Sequence, residues 1–297
     1  GYFCAHLTAM HNSQIFDLGT SLLSFVQSLQ GFFLTDYQTN SFYKKFRKSI
    51  VKFCLYMQFS LPKNTDISIQ PIKSFTDNYI WMIKKNKDAV IVDPGDASPV
   101  LEILQKENIH LQAILITHKH ADHIGGVKNL IKTYPDVKIY GPKNNFNFTF
   151  NEVANNELVV IDELNISLRV IETPGHTLDH IVFADEDHLF CGDTIFGCGC
   201  GRLFEGTFSQ MYESLKILSG LPRSIKIFCA HEYTKKNIEF ALMLEKDNED
   251  LIARKKSLKN VDITLPSTLS EELKTNPFLR SKTLAQFKER RIRKDDF

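Results

Sequence analysis

Thr117-His118-Lys119-His120-Ala121-Asp122-His123 packs three histidines and one aspartate into six residues. Leu111 to Ile116, just before it, is an apolar, β-branched run that reads as a buried strand, so the cluster falls where a strand gives way to a loop. Packing supplies no reason for so many imidazoles at a strand end. Alternation along an extended segment predicts His118, His120 and Asp122 on one side and His123 on the other, so one loop can feed two metal ions. His176 in Thr173-Pro174-Gly175-His176-Thr177, Asp193 in Gly192-Asp193-Thr194 and His231 in Ala230-His231-Glu232-Tyr233 each follow another predicted strand. Five imidazoles and two carboxylates suit zinc, iron or manganese better than calcium, and predict two divalent metal ions per chain. A two-metal hydrolase is the reading these residues support. His6, His11, His110 and His188 stand alone in the sequence and read as ordinary surface or core residues.

Further strands are predicted at Ile67 to Ile72, Asn78 to Ile83, Ala89 to Val92, Val137 to Tyr140, Leu158 to Ile161, Ile166 to Ile171, His180 to Ala184, His188 to Cys191 and Ile225 to Cys229. Asp93-Pro94-Gly95 is a turn, and Asp93 is open to a second reading in which it orients a ligand imidazole. Ser98-Pro99 marks a helix start with Ser98 as N-cap, and Val127 to Tyr134 is a second helix. After His231 the pattern turns helical and densely charged, over Lys236 to Asp247, Glu249 to Lys259, Leu269 to Lys274 and Leu284 to Arg293; no strand is expected there.

The composition is that of an ordinary folded protein, 43% hydrophobic and 24% charged over 297 residues, and the net charge of +1 gives no global attraction to nucleic acid or membrane. No run approaches the ~18 apolar residues that span a bilayer. Six scattered cysteines fit a reducing compartment, so a cytoplasmic protein is expected. Cys198-Gly199-Cys200 lacks the two-residue spacer of common zinc and redox motifs and reads as packed or loop thiols. Residues 1–56 differ from the rest, with only Asp17 and Asp36 as acids and a basic cluster from Lys44 to Lys52. They read as a leader, as sequence upstream of the folded protein, or as a structural extension, with an organelle as the destination in the first case. Met57 is a natural translation start for the remainder of the chain.

The pattern HxHxDH, then His176, Asp193 and His231, resembles the metallo-β-lactamase superfamily across roughly residues 66 to 232. That resemblance implies an α+β fold, an αββα sandwich, in which His118, His120 and His176 hold one metal, Asp122, His123 and His231 hold the other, and Asp193 bridges them. Phe75-Thr76-Asp77-Asn78-Tyr79, the run Gly197 to Thr207, Ala230 to Thr234 and Asn276-Pro277-Phe278-Leu279-Arg280 look like the glyoxalase II family, the hydroxyacylglutathione hydrolases. The likeness implies hydrolysis of S-D-lactoylglutathione to D-lactate and glutathione, with Asp122 and Asp193 as catalytic carboxylates beside metal-bound hydroxide. It also implies a glutathione cradle of Arg202, Phe204, Tyr233, Arg280 and Lys282, Phe204 standing where some relatives carry tyrosine and Arg202 where others carry lysine. The expected organisation is an extension over 1–56, a catalytic domain over 57–232 and a helical glutathione-binding domain over 233–297. A monomer acting on a small glutathione thioester is expected, with neither nucleic acid nor membrane as partner.

Three other readings share the fold. A mononuclear iron persulfide dioxygenase needs only two histidines and an aspartate and no helical tail; a tRNA-processing nuclease needs a basic exosite that is not visible. A β-lactamase has no use for the Asn276 to Arg280 segment. A non-catalytic metal-binding scaffold, from a different class, would show lost ligands, and none is lost.

Overall fold

The computed structural model describes residues 66–297. The readings made for residues 1–56 and Met57 lie outside the described residues. Fourteen strands and eight helices are present among those described.

β1 (Ser68–Ser74), β2 (Asn78–Lys85), β3 (Asp88–Val92), β4 (His110–Leu115), β5 (Lys138–Gly141) and β6 (Asn151–Glu152) form one sheet in sequence order. Its first two pairings are antiparallel hairpins, and from β3 onward the strands run parallel. Helices fill the crossovers: α1 (Ser98–Glu107) joins β3 to β4, and α2 (Ala121–Ile124) with α3 (Val127–Thr133) joins β4 to β5. The second sheet takes β7 (Leu158–Ile161), β8 (Ile166–Glu172), β9 (Ile181–Ala184), β10 (His188–Gly192), β13 (Lys226–Cys229) and β14 (Ser267–Thr268) in the order 14-13-10-9-8-7. β11 (Ile195–Phe196) and β12 (Gly199–Cys200) make a separate small hairpin. α4 (Phe208–Ser219) links β12 to β13, and α5 (Thr234–Leu244), α6 (Glu249–Ser257), α7 (Leu269–Thr275) and α8 (Leu284–Asp295) come after β13.

The central strands of the first sheet, β2 to β4, are buried on both faces, and the alternation of their side chains divides the core in two. Tyr79, Trp81, Ile83, Val90, Val92, Ala113 and Leu115 pack with Val170, Phe183, Phe190 and Ile227 of the second sheet. Ile80, Met82, Ala89, Ile91 and Ile114 point the other way, onto Val100 and Leu104 of α1 and Val127 and Leu130 of α3. Each Val, Leu, Ile, Phe or Met among them contributes about 1.5–3 kcal/mol on burial, so a one-residue slip of β2 would exchange two complete core faces. On the other side of the sandwich, Met211, Tyr212, Leu215 and Leu218 of α4 join the cluster of the second sheet.

Several expectations need correction. β14 pairs antiparallel with β13, Lys226 opposite Thr268 and Ile227 opposite Ser267, so a strand does follow His231; two residues are too short to show a period. α4 had no counterpart in the sequence reading, although Thr207 and Gln210 form a reciprocal capping box of the T-x-x-Q kind. Ala97 occupies the N-cap of α1, and Ser98 instead donates its main-chain N–H to Asp96 Oδ1 at 2.9 Å. The His118 loop does not stay extended: His120 is the N-cap of α2, and Asp122 and His123 lie within that one-turn helix.

The sheets are tied together at the end where the loops gather. Ile181 donates its N–H to Thr117 O at 2.9 Å, Tyr79 to Ala230 O at 2.7 Å and Glu232 to Asp77 O at 2.8 Å. Trp81 Nε1 adds a bond to Cys229 O at 2.9 Å. The end of β4 thereby meets the start of β9, and the end of β13 meets the start of β2.

Candidate metal centre

All seven donors predicted from the sequence come together at this end. His118 Nε2 lies 3.1 Å from His120 Nδ1, which lies 3.0 Å from His176 Nε2. On the other side, Asp122 Oδ2 is 3.4 Å from His231 Nε2 and 3.6 Å from His123 Nε2. Asp193 faces both groups: Oδ2 is 3.3 Å from His176 Nε2 and 3.4 Å from His231 Nε2, and Oδ1 is 3.5 Å from His123 Nε2. Tetrahedral ligands ~2.1 Å from an ion sit about 3.4 Å from one another, close to these spacings.

The second nitrogen of four imidazoles is already engaged. His123 Nδ1 donates to Asp93 Oδ2 at 3.0 Å, His231 Nδ1 to Asp77 Oδ1 at 2.8 Å and His176 Nδ1 to Arg202 O at 2.7 Å. Thr117 Oγ1 donates to Asp93 Oδ2 at 2.7 Å and so accepts from His118 Nδ1 at 3.0 Å. In each of these rings Nε2 is the nitrogen turned into the centre, and in the neutral ring it carries the lone pair that metal-binding histidines require. His123 Nε2 and Asp193 Oδ1 are buried without a hydrogen-bond partner, a costly state for polar atoms that a cation relieves. The donor set therefore fits two divalent ions, three histidines on one side, Asp122, His123 and His231 on the other, and Asp193 between.

The local field points the same way. Burial opposes charge on His123, yet the Asp193 and Asp93 carboxylates push its pKa up to about 10. His231, likewise buried, is pushed up to about 11 by Asp193 and Asp122. Burial opposes ionisation of Asp193, but His123 and His231 hold it well below the usual carboxylate range. Burial, together with the neighbouring His123 and His180, pushes His118 down. Without metal, then, the centre attracts protons onto His123 and His231 below about pH 10, and a metal must displace them. Metal uptake by the metal-free protein at pH 7.5 is expected to release protons and to tighten as pH rises; calorimetry in buffers of different ionisation enthalpy measures this, and no proton release would contradict the assignment.

Asp93 orients a ligand imidazole, the second of its two readings: Oδ1 accepts from Thr117 N at 2.8 Å, and Oδ2 from Thr117 Oγ1 and His123 Nδ1. Other residues of the centre escaped the sequence reading. Asn78 Nδ2 donates to Asp122 Oδ2 at 3.0 Å. His180, predicted as a strand residue, is buried beneath the donors, stacked on His118 with ring centres 4.7 Å apart, and its Nε2 accepts from Asp193 N at 3.1 Å. At Gly192 φ is +46°, and an added Cβ would meet Thr117 Oγ1 at 2.3 Å, so the turn that delivers Asp193 requires glycine.

The predicted cradle residues are placed less uniformly. Phe204 is exposed and set edge-on to His120 and His176, at 5.4 and 5.2 Å. Tyr233 stacks on His231, ring centres 4.8 Å apart; burial and the Asp77, Asp193 and Asp122 carboxylates push its pKa up, so it stays a neutral donor. Arg202 is exposed and paired with Asp295 at 3.2 Å. Arg280 is paired with Glu245 at 2.9 Å on an open surface cleft, and Lys282 is exposed. Cys198 and Cys200 are buried thiols, pushed up by that burial, Cys198 to about 12, which bears out their reading as packed residues.

An αββα sandwich with a histidine–aspartate cluster where its two sheets meet defines the metallo-β-lactamase class, and residues 75–231 match the model of the metallo-beta-lactamase superfamily. Residues 232–296 match that of the hydroxyacylglutathione hydrolase C-terminus. The chain is 46% identical to a hydroxyacylglutathione hydrolase of Methylobacillus flagellatus, over 71% of this chain and 86% of that protein. It is 44% identical to that of Pseudoalteromonas translucida, over 72% and 86%. The chain belongs to the hydroxyacylglutathione hydrolase family, an enzyme family of thioester hydrolases. Among solved structures, ETHE1 from Myxococcus xanthus superposes with a TM-score of 0.59 at 24% identity, covering 76% of this chain and 89% of that one, a likeness of fold. Among the described residues no helix is long and apolar enough to cross a membrane.

Proposed function

We propose that this chain hydrolyses S-D-lactoylglutathione to D-lactate and glutathione at a centre of two divalent ions, zinc, iron or manganese. The observation that carries this is Asp193, whose carboxylate faces His176, His231 and His123 at 3.3–3.5 Å and so belongs to both halves of the donor set. When bound, two divalent ions supply a nucleophilic water at neutral pH and Lewis-acid stabilisation of the thioester oxyanion. Asp93, Asp77, Thr117 and the Arg202 carbonyl keep the four ring tautomers correct, so no imidazole has to reorganise during turnover. Asn78 holds Asp122 from behind. A glutathione thiolate with a pKa near ~8.5 leaves without a dedicated acid, which agrees with a site built of donors rather than of an acid–base pair.

Phe204 and Tyr233 flank the donors and would contact the thioester, with Tyr233 as hydrogen-bond donor. Arg202, Arg280 and Lys282, the latter two from the helical segment, are assigned to the glutathione carboxylates. The Glu245 partner of Arg280 must share that cation with substrate, which limits what the arginine adds. Arg280→Ala is therefore expected to raise KM about tenfold with kcat little changed, the mark of lost ground-state binding. Thiol release from S-D-lactoylglutathione by metal-analysed protein, compared with glutathione persulfide and nitrocefin, tests the reaction. Two metals bound with no thiol released would defeat this reading, and oxygen consumption on the persulfide would favour the dioxygenase.

A further inference from the structure

The β11–β12 hairpin, just past Asp193, has its main chain held by side chains of the C-terminal helices. Asn276 Nδ2 donates to Phe196 O at 3.2 Å and Gly199 O at 2.8 Å, and Asn237 Nδ2 to Gly197 O at 3.0 Å. Cys198 N–H donates to Glu272 Oε2 at 2.8 Å, and Arg291 Nη1 to Cys200 O at 2.8 Å. Every residue from 196 to 200 thus has a main-chain group satisfied from α5, α8, or α7 and the residue after it. All four side chains are buried. Glu272 is itself fixed: Oε1 accepts from Arg254 Nη2 at 2.7 Å and Oε2 from Asn276 Nδ2 at 3.1 Å.

A buried ion pair of this kind is a poor device for stability, because desolvating both charges offsets most of their attraction. What it provides is geometry. The hairpin leads directly to Gly201, where an added Cβ would lie 2.0 Å from Asp193 O and 3.0 Å from His176 Nδ1, and to Arg202, whose carbonyl accepts a hydrogen bond from His176 Nδ1–H. A displacement of the hairpin is transmitted to both donors with nothing between to absorb it.

We infer that Glu272 and Asn276 are positioning residues for the metal centre: with buried Arg254 they set the course of residues 196–202, which in turn aims His176 and backs Asp193. The inference rests on the metal centre above but not on the identity of the substrate. The test uses the full chain carrying Arg254→Met with Glu272→Met, which removes both buried charges together, so that neither is left unpaired, and takes the acceptor from the Cys198 N–H. Expected is cooperative unfolding, zinc affinity in chelator competition weakened about 10–100-fold, and a lower kcat at unchanged KM. A folded double variant with wild-type zinc affinity overturns the inference. Should the variant not fold, the wild type answers by reciprocity: loading zinc into the metal-free chain must slow hydrogen exchange of the Cys198 amide, whose acceptor is Glu272. Exchange unaffected by zinc overturns it equally. Failure of the wild type to cleave thioester would sink the proposed reaction while leaving both readouts usable.

Discussion

Asp193→Ala protein is expected to bind fewer than two metal ions and to lose activity by at least about a thousand-fold, since several kcal/mol of charge stabilisation depend on the metals and each 1.4 kcal/mol is tenfold. Asp193 is buried, and its two oxygens address imidazoles from both halves of the centre. Removing it takes a ligand oxygen and a negative charge from both halves at once, so weakened affinity for cations and loss of turnover must appear together. Metal analysis alongside thiol release measures both. A variant with two metals and normal rate would mean that the bridging assignment is wrong.

The second large effect is expected at Asp93, which touches no substrate. Asp93→Asn tolerates the left-handed backbone there, φ +52°, and keeps an acceptor for Thr117 N. Its amide nitrogen, however, would confront the Nδ1–H of His123 or the hydroxyl of Thr117, both of which donate to the carboxylate. One tautomer has to flip, turning an N–H toward the centre. Metal affinity is expected to fall about 10–100-fold with modest loss of stability. Asp93→Ala leaves buried donors unpaired at about 1–3 kcal/mol each, so its Tm falls as well. Comparing the two variants by thermal unfolding and chelator competition separates orientation from stability; equal metal affinity in wild type and Asp93→Asn would refute the orienting role.

Sequence reading succeeded where chemistry was concentrated locally. The His118–His123 run announced itself because six adjacent positions carried four donors, and β3 and β4 were legible because a short continuous apolar run suits a strand covered on both faces. It failed where the meaning of a residue comes from a partner far along the chain. Asp77 reaches His231 across 154 positions, Asn78 reaches Asp122 across 44, and Glu272 reaches Cys198 across 74. His180 was read as strand because nothing in its neighbours distinguishes a ring that supports Asp193 from one that packs. β14 was too short for a pattern, whereas the capping box of α4 was present and overlooked.

By itself, then, the sequence determined the donor types, their order and the strand ends that carry them, since those follow from local composition and side-chain alternation. Tertiary structure alone decided which nitrogen of each ring faces inward and that the C-terminal helices grip the loop beside Asp193. Tautomer and aim are set by hydrogen bonds between residues that only folding brings within 3 Å, and no pattern along the chain encodes such distances.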